Sequence, residues 1–452
     1  MTHSPLPARC ISGLVRMGGQ KSRPKLSLDT AVHREYHARM PGSMQMQYYL
    51  QLPQGELEGP YTVKELREML QRELIAADDL VKETVSGATC HIDELLNSHE
   101  GNALDDFTGL KGLGGFSLWK FFADVFRRHS REELLETFCC GTPGTTPPLH
   151  AVSGTWPSPW IFARMLLGCI LLYFGFNWAC NTFQNPNLVP GLMFVGNFAI
   201  PFCVAVLFFE LNVRREVPFM ELMKAMLYGG LMALIFALVL IEFSPAVLSW
   251  IAGPIEEPAK LLAVVIIADR RRNGRILTGL LLGAGVGAGF AAFESAGYTF
   301  TELTRFISST AAAEVVSTIN PAQGQAIARS AQAFDPDTVM QVRALITPFG
   351  HIVWTSITAG AYWLVLHLRI SEGRRDYNAT GIDWAAFADI RFLRIAVIPV
   401  ALHLAWNTHW LAEFGLLRFL VLGIIAWAVA LRLVQAGLHQ IREEKRSKGL
   451  PA

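Results

Sequence analysis

The chain has 452 residues, 51% of them hydrophobic and 17% charged, with a mean hydropathy of +0.31. Soluble domains carry about a quarter charged residues, so this balance argues against a wholly soluble protein. A formal net charge of +1, from 39 Lys+Arg against 38 Asp+Glu, argues against an overall polyanion binder, and no nucleic-acid partner is expected. The first 45 residues are basic (Arg9, Arg16, Lys21, Arg23, Lys25, Arg34, Arg39) and contain no apolar h-region of signal-peptide type. Residues 1–45 are therefore predicted to be a disordered tail, or an over-long start with translation beginning at Met44 or Met46. Cys10, Cys90, Cys139, Cys140, Cys169, Cys180 and Cys203 make neither a disulfide framework nor a zinc-ligand spacing.

Residues 46–98 are predicted to form a compact α+β cytoplasmic domain. Gln47-Tyr48-Tyr49-Leu50 alternates like a strand, Glu58-Gly59-Pro60-Tyr61 reads as a turn, and Thr62 caps a helix with Glu65 at its third position. Asp78–Val81 and His91–Leu96 complete the unit. Through the Tyr-Tyr strand, the Gly-Pro-Tyr turn and the following helix this segment resembles GYF-like domains, which implies a peptide ligand. Cys90-His91 stands where such domains commonly have a tryptophan.

Residues 99–155 read as an amphipathic segment and linker. Phe116, Trp119, Phe121 and Phe122 followed by Arg127, Arg128 and Arg131 suit a helix lying at a membrane surface over 116–138, and Gly141–Pro148 reads as linker. Eight spans are then predicted, at 160–179, 188–209, 222–242, 247–268, 276–299, 346–367, 391–411 and 415–436, each near the ~20 residues that cross a bilayer. The expected fold class is an all-α polytopic membrane protein over 156–436, ending in a basic tail at 437–452. Arg214, Arg215, Arg270–Arg272, Arg275, Arg369, Arg374, Arg375, Lys445, Arg446 and Lys448 fall on one side, while the connections at 180–187, 243–246 and 412–414 have no Lys or Arg. By the positive-inside rule both termini face the cytoplasm, and the expected location is the inner membrane. The segment 300–345 is then a long outer loop, with turns at Ile319-Asn320-Pro321 and Phe334-Asp335-Pro336.

A charge at mid-membrane costs at least ~2.5–3.5 kcal/mol on insertion scales, so its presence needs a reason. Span four has Glu256, Glu257 and Lys260, span five Glu294, span six His351, and span seven His403 with Asn407. Because successive spans alternate in direction, all these groups lie within ~7–14 Å of the outer boundary, in one layer. Glu256 and Lys260 are spaced i,i+4 and are expected to pair, leaving Glu257 the freer carboxylate; Pro254 and Pro258 perturb that helix. His403 and Asn407 are also i,i+4. Such a layer suffices for hydrolysis by activated water: a carboxylate takes the proton, and His or Asn donates to the oxyanion.

Glu256-Glu257-x-x-Lys260, Phe290-x-x-x-Glu294, His351 and His403-x-x-x-Asn407, in that order on successive spans, resemble the PrsW family of intramembrane proteases, relatives of the CAAX prenyl endopeptidases. The resemblance implies Glu256 or Glu257 as general base, His351 as polarising group, His403 with Asn407 as oxyanion site, and Lys260, Phe290 and Glu294 in support. It implies a membrane-protein substrate, with an anti-sigma factor as the known example. No His-Glu-x-x-His helix is present, so a metal-free, glutamate-type mechanism is expected, with zinc as the alternative, since Glu256, Glu257, Glu294, His351 and His403 are all competent ligands. The rival readings are an ion- or proton-coupled transporter or channel, which predicts polar groups at every depth and often an inverted repeat, and a non-enzymatic membrane sensor.

Overall fold

The computed structural model describes residues 47–450, apart from 53–55, 73, 77, 85–86, 88, 99–102, 111, 114–115, 143, 244–251, 269–273, 332–335 and 380. The predicted tail at 1–45 with its two alternative starts, the arginines at 270–272, most of the 243–246 connection and the Phe334-Asp335 turn lie outside the described residues.

The front of the chain folds as a small sheet with helices. Strand β1 (Gln47–Gln51) lies between β2 (Leu57–Thr62) and β3 (Leu80–Glu83), and β4 (Thr89–His91) flanks β3, all antiparallel. Tyr48 opposes Tyr61 and Leu50 opposes Val81, so alternate side chains enter one core with Leu66 and Ile92. Glu58–Tyr61, predicted as a turn, is the body of β2: its backbone is taken up by pairing with β1. Helix α1 (Val63–Gln71) starts at Thr62, whose backbone N–H donates to Glu65 Oε2 at 2.8 Å while its hydroxyl accepts from Glu65 N at 3.3 Å. Helix α2 (Ile92–Ser98) follows β4 directly.

The single surface helix predicted over 116–138 is broken into Leu118–Phe121, a 3₁₀ turn at Ala123–Val125 and Arg131–Phe138. Ser130 starts the last of these pieces: it exchanges 3.1 Å hydrogen bonds with Glu133, a capping arrangement that begins a new helix at Arg131. Trp119 and Phe126 are 87% and 93% exposed, which suits aromatics meant for a membrane interface.

The remainder is a helical bundle: α3 (Ile161–Phe183), α4 (Val189–Leu211), α5 (Phe219–Glu242), α6 (Ala252–Ile267), α7 (Ile276–Ser317), α8 (Pro321–Ala331), α9 (Pro336–Ile346), α10 (His351–Ser371), α11 (Ile390–Asn407) and α12 (Leu416–Ser447). Seven stretches among the described residues are long and apolar enough to cross a membrane, one for each predicted span except the fourth. There the described helix, α6, has 16 residues, about 24 Å at 1.5 Å per residue. The predicted outer loop at 300–345 is largely helical. Helix α7 runs on to Ser317 through the strong helix formers Ala311-Ala312-Ala313-Glu314, and α8 and α9 each begin on a proline, Pro321 and Pro336.

The glycines of α7 set its packing. A Cβ on Gly287 would lie 2.6 Å from the His351 carbonyl, and one on Gly283 would lie 2.5 Å from that of Thr355, both in α10. Gly289 faces the other way, onto the Met226 carbonyl and Gly230 of α5, beside a π-type turn at Ala225–Gly229. These stripes bring three backbones together as small residues do in membranes. Gly289→Ala is expected to destabilise the bundle by about 1–3 kcal/mol through overpacking. Gly297→Ala, where a Cβ meets nothing within 4 Å, should be neutral or gain up to ~1 kcal/mol of helix propensity. Thermal unfolding of the two variants in detergent checks the contrast.

Helix α12 ties the bundle to the small domain. Arg442 donates to the Gly154 carbonyl at 3.1 Å and forms a buried ion pair with Asp93 of α2.

Candidate active site

Glu256 of α6, Glu294 of α7, His351 of α10, and His403 and Asn407 of α11 all line one cavity of about 580 Å³. Glu257 and Lys260 stand behind that wall, 1% and 0% exposed. The predicted residues thus meet from four helices.

The pairing within α6 differs from expectation. Lys260 Nζ donates to Glu257 Oε1 at 2.6 Å and lies 3.7 Å from Glu256 Oε2. Glu257 is therefore the fixed carboxylate and Glu256 the one turned to the cavity. Helical spacing alone could not decide this, because i,i+3 and i,i+4 neighbours are both within reach of a lysine. A second helix decides it: His403 Nδ1 lies 2.9 Å from the same Glu257 oxygen.

His403 is fixed through one ring nitrogen and His351 through both. With Nδ1 of His403 donating to Glu257, its Nε2 lone pair faces Glu256 Oε2 at 3.8 Å. His351 Nε2 lies 3.1 Å from Glu294 Oε2, and its Nδ1 accepts from Lys260 at 2.9 Å. Phe290, one turn before Glu294, holds the same region from below: its ring centroid is 5.0 Å from that of His351 and 4.6 Å from Lys260 Nζ. The fully buried Trp354 stacks on His403 at 4.7 Å.

Two arginines of the cavity wall were not singled out as site residues from the sequence. Arg343 of α9 donates to Glu294 Oε2 at 2.7 Å and to Ser295 Oγ at 3.0 Å, and lies over Tyr298. It sits in the segment read as a loop, and its place one turn before the Thr347-Pro348-Phe349-Gly350-His351 run was the available signal. Arg418 donates to the Thr408 carbonyl at 3.1 Å at the cavity wall.

The donor set fits a metal ion. One ligand atom each from Glu256, His351 and His403 lie within 4.8 Å of one another. Glu256 Oε2 is buried with no hydrogen-bond partner, an expensive condition for a carboxylate oxygen. Tetrahedral zinc with ligands at ~2.0–2.2 Å keeps donor atoms roughly 3.3–3.6 Å apart, so the 3.8 and 3.9 Å edges from Glu256 to the histidines need only small closure. Glu257 behind His403 and Glu294 behind His351 form the carboxylate–histidine pairs that orient metal-binding imidazoles. Lys260 occupies the lone pair of His351 Nδ1, so ammonium and ion would compete for that atom.

These features define a class: multi-pass membrane proteins that build a carboxylate–histidine centre inside a helical bundle. Among known protein families, residues 192–434, more than half of the chain, match the family described as PrsW family intramembrane metalloprotease. The chain belongs to that family, and it is a membrane-embedded protease acting on membrane-protein substrates. The expectation of a metal-free site finds no support, given a metalloprotease family and the Glu256–His351–His403 cluster. No curated protein and no solved structure matches the chain.

Proposed function

We propose that this protein hydrolyses peptide bonds of membrane proteins at the 580 Å³ cavity, with Glu256, His351 and His403 as the ligands of a zinc ion. The observation that carries this reading is Glu256 Oε2, buried and without a hydrogen bond, facing two histidines already oriented by Glu257 and Glu294. The ion would polarise the scissile carbonyl and lower the pKa of water. The protein's own groups do the rest. Glu256 would help to hold the ion, and as the carboxylate lining the cavity beside the histidines it takes the proton of the attacking water. Asn407, at the cavity wall one turn after His403, donates to the developing oxyanion. Arg343 holds Glu294 against His351, and the apolar Trp354 and Phe290 keep water from the histidine faces.

The arginine distribution supports a site near the outer surface of the inner membrane with both termini cytoplasmic. An anchored anti-sigma factor fits as substrate class through the family resemblance alone. Residues 46–98 we read as a GYF-like module; its docking on Arg442 favours a sensing or anchoring attachment over a free peptide-binding domain.

Purified protein in nanodiscs, with a single-pass reporter as substrate, tests the metal reading. About one zinc per chain, loss of cleavage with a chelator and recovery with added zinc are expected. Full activity in a preparation free of metal would overturn it.

A further inference from the structure

A second cavity, of about 360 Å³, lies at the opposite ends of the same helices. Helix α7 passes from Ile276 here to Glu294 at the active-site cavity, α10 from His351 back to His367, and α12 from Phe419 back to Gln435. Steps of roughly 16–18 residues are roughly 24–27 Å of helix, close to the ~30 Å of a hydrocarbon core. The two cavities therefore sit near opposite faces of the membrane.

The chemistry of this cavity is amphipathic. Leu364, Leu368 and Ile395 give it an apolar wall, and His367, Arg391, Arg394 and His439 line it with basic groups. Of the acidic groups beside them, Asp93 pairs with Arg442, and Glu443, half exposed, lies 3.4 Å from His439. Arg391 is held by Asp389 at 2.7 Å and by Glu372. Arg394 is different. It is exposed, and among the described residues it has no hydrogen-bond or ion-pair partner. Deeper in the cavity Gln435 is 4% exposed, and its Oε1 has no partner.

An unpaired guanidinium at the rim and an unsatisfied acceptor inside ask for a ligand with anionic oxygens and a donor of its own. A phosphate ester carrying a hydroxyl meets both needs. The surroundings choose the source. Ile390, Leu393 and Val397 of α11 are 59%, 47% and 49% exposed, and Ile390 and Val397 share a helix face with Arg394. This lipid-facing stripe runs up to the rim, so acyl chains could lie along it while the head enters.

We propose that this cavity binds the headgroup of an anionic phospholipid, with the phosphate on Arg394 and a headgroup hydroxyl donating to Gln435 Oε1. Asp93 and the Thr108–Leu110 segment also line the cavity, so a bound lipid would sit where the small domain meets the bundle.

The test uses the full-length protein in detergent, titrated with phosphatidylglycerol or phosphatidylcholine and read by native mass spectrometry and thermal unfolding. Phosphatidylglycerol should bind and raise Tm, and phosphatidylcholine should do neither. Arg394→Gln should weaken phosphatidylglycerol binding by about 10-fold or more, and Arg446→Gln, at an exposed position near the C-terminal end of α12 and outside the cavity, by less than about 2-fold. Gln435→Leu, which removes the acceptor, should also weaken it; unligated Tm values show that the variants are folded. Equal binding of the two lipids, or equal effects of Arg394→Gln and Arg446→Gln, would overturn the proposal. Saturation by glycerol phosphate at the same concentration as the lipid would overturn the membrane source in favour of a soluble phosphate.

Discussion

Glu256→Gln is expected to lower cleavage by at least ~10³-fold while leaving the unfolding temperature within a few degrees of wild type. The side chain keeps its shape, and the atom it alters has no hydrogen bond to lose, only the 3.7 Å ion-pair contact with Lys260. The loss follows from removing the group that takes the proton and faces the histidines, a contribution of ~10²–10⁴-fold for a positioned base alone. Glu257→Gln should behave otherwise. Its carboxylate carries the 2.6 Å contact to Lys260 and the 2.9 Å contact to His403, so both activity and stability should fall, the latter by about 3–5 kcal/mol. Measuring cleavage and thermal unfolding on the same two preparations separates the roles. If Glu256→Gln retained activity while Glu257→Gln lost it without unfolding, the assignment of the cavity-facing carboxylate would be reversed.

Lys260→Met should be as destabilising as Glu257→Gln, by the same loss of a buried pair. The ammonium is fully buried and touches Glu257, Glu256 and His351. Removing it strands a charged Glu257 in an apolar setting, at a cost of about 3–5 kcal/mol. The double variant Lys260→Met, Glu257→Gln removes both charges and should recover part of that loss. A double-mutant cycle from denaturation in mixed micelles would then show a coupling of about 1–3 kcal/mol. Additive effects would mean that the two residues do not form the pair described.

Much of this architecture was legible in the sequence because the bilayer leaves few choices. Apolar runs of the right length can only be helices there, and buried ionisable groups stand out against them. Alternating directions then placed Glu256, Glu294, His351 and His403 at one depth. What escaped was whatever a neighbouring helix decides. His403 draws Glu257 into the Lys260 pair, and nothing local to Gly253–Lys260 announces that. Arg343 escaped for a different reason: α9 and the outer third of α7 are too polar and too rich in alanine to register as spans, so they read as loop. The break at Ser130 was readable as a capping pattern, Ser130-x-x-Glu133, and the aromatics around it drew attention away.

The contact between α7 and α10 has a mechanical implication. At Gly283 and Gly287 no atom's width separates the two backbones, so these helices cannot slide or splay without breaking the joint. Glu294 and His351 are mounted on that joint and must travel as a unit. Admission of a polypeptide therefore has to come from yielding elsewhere, on the side of α6, α11 or the short α9, while half of the proposed catalytic apparatus stays put like the fixed jaw of a vise.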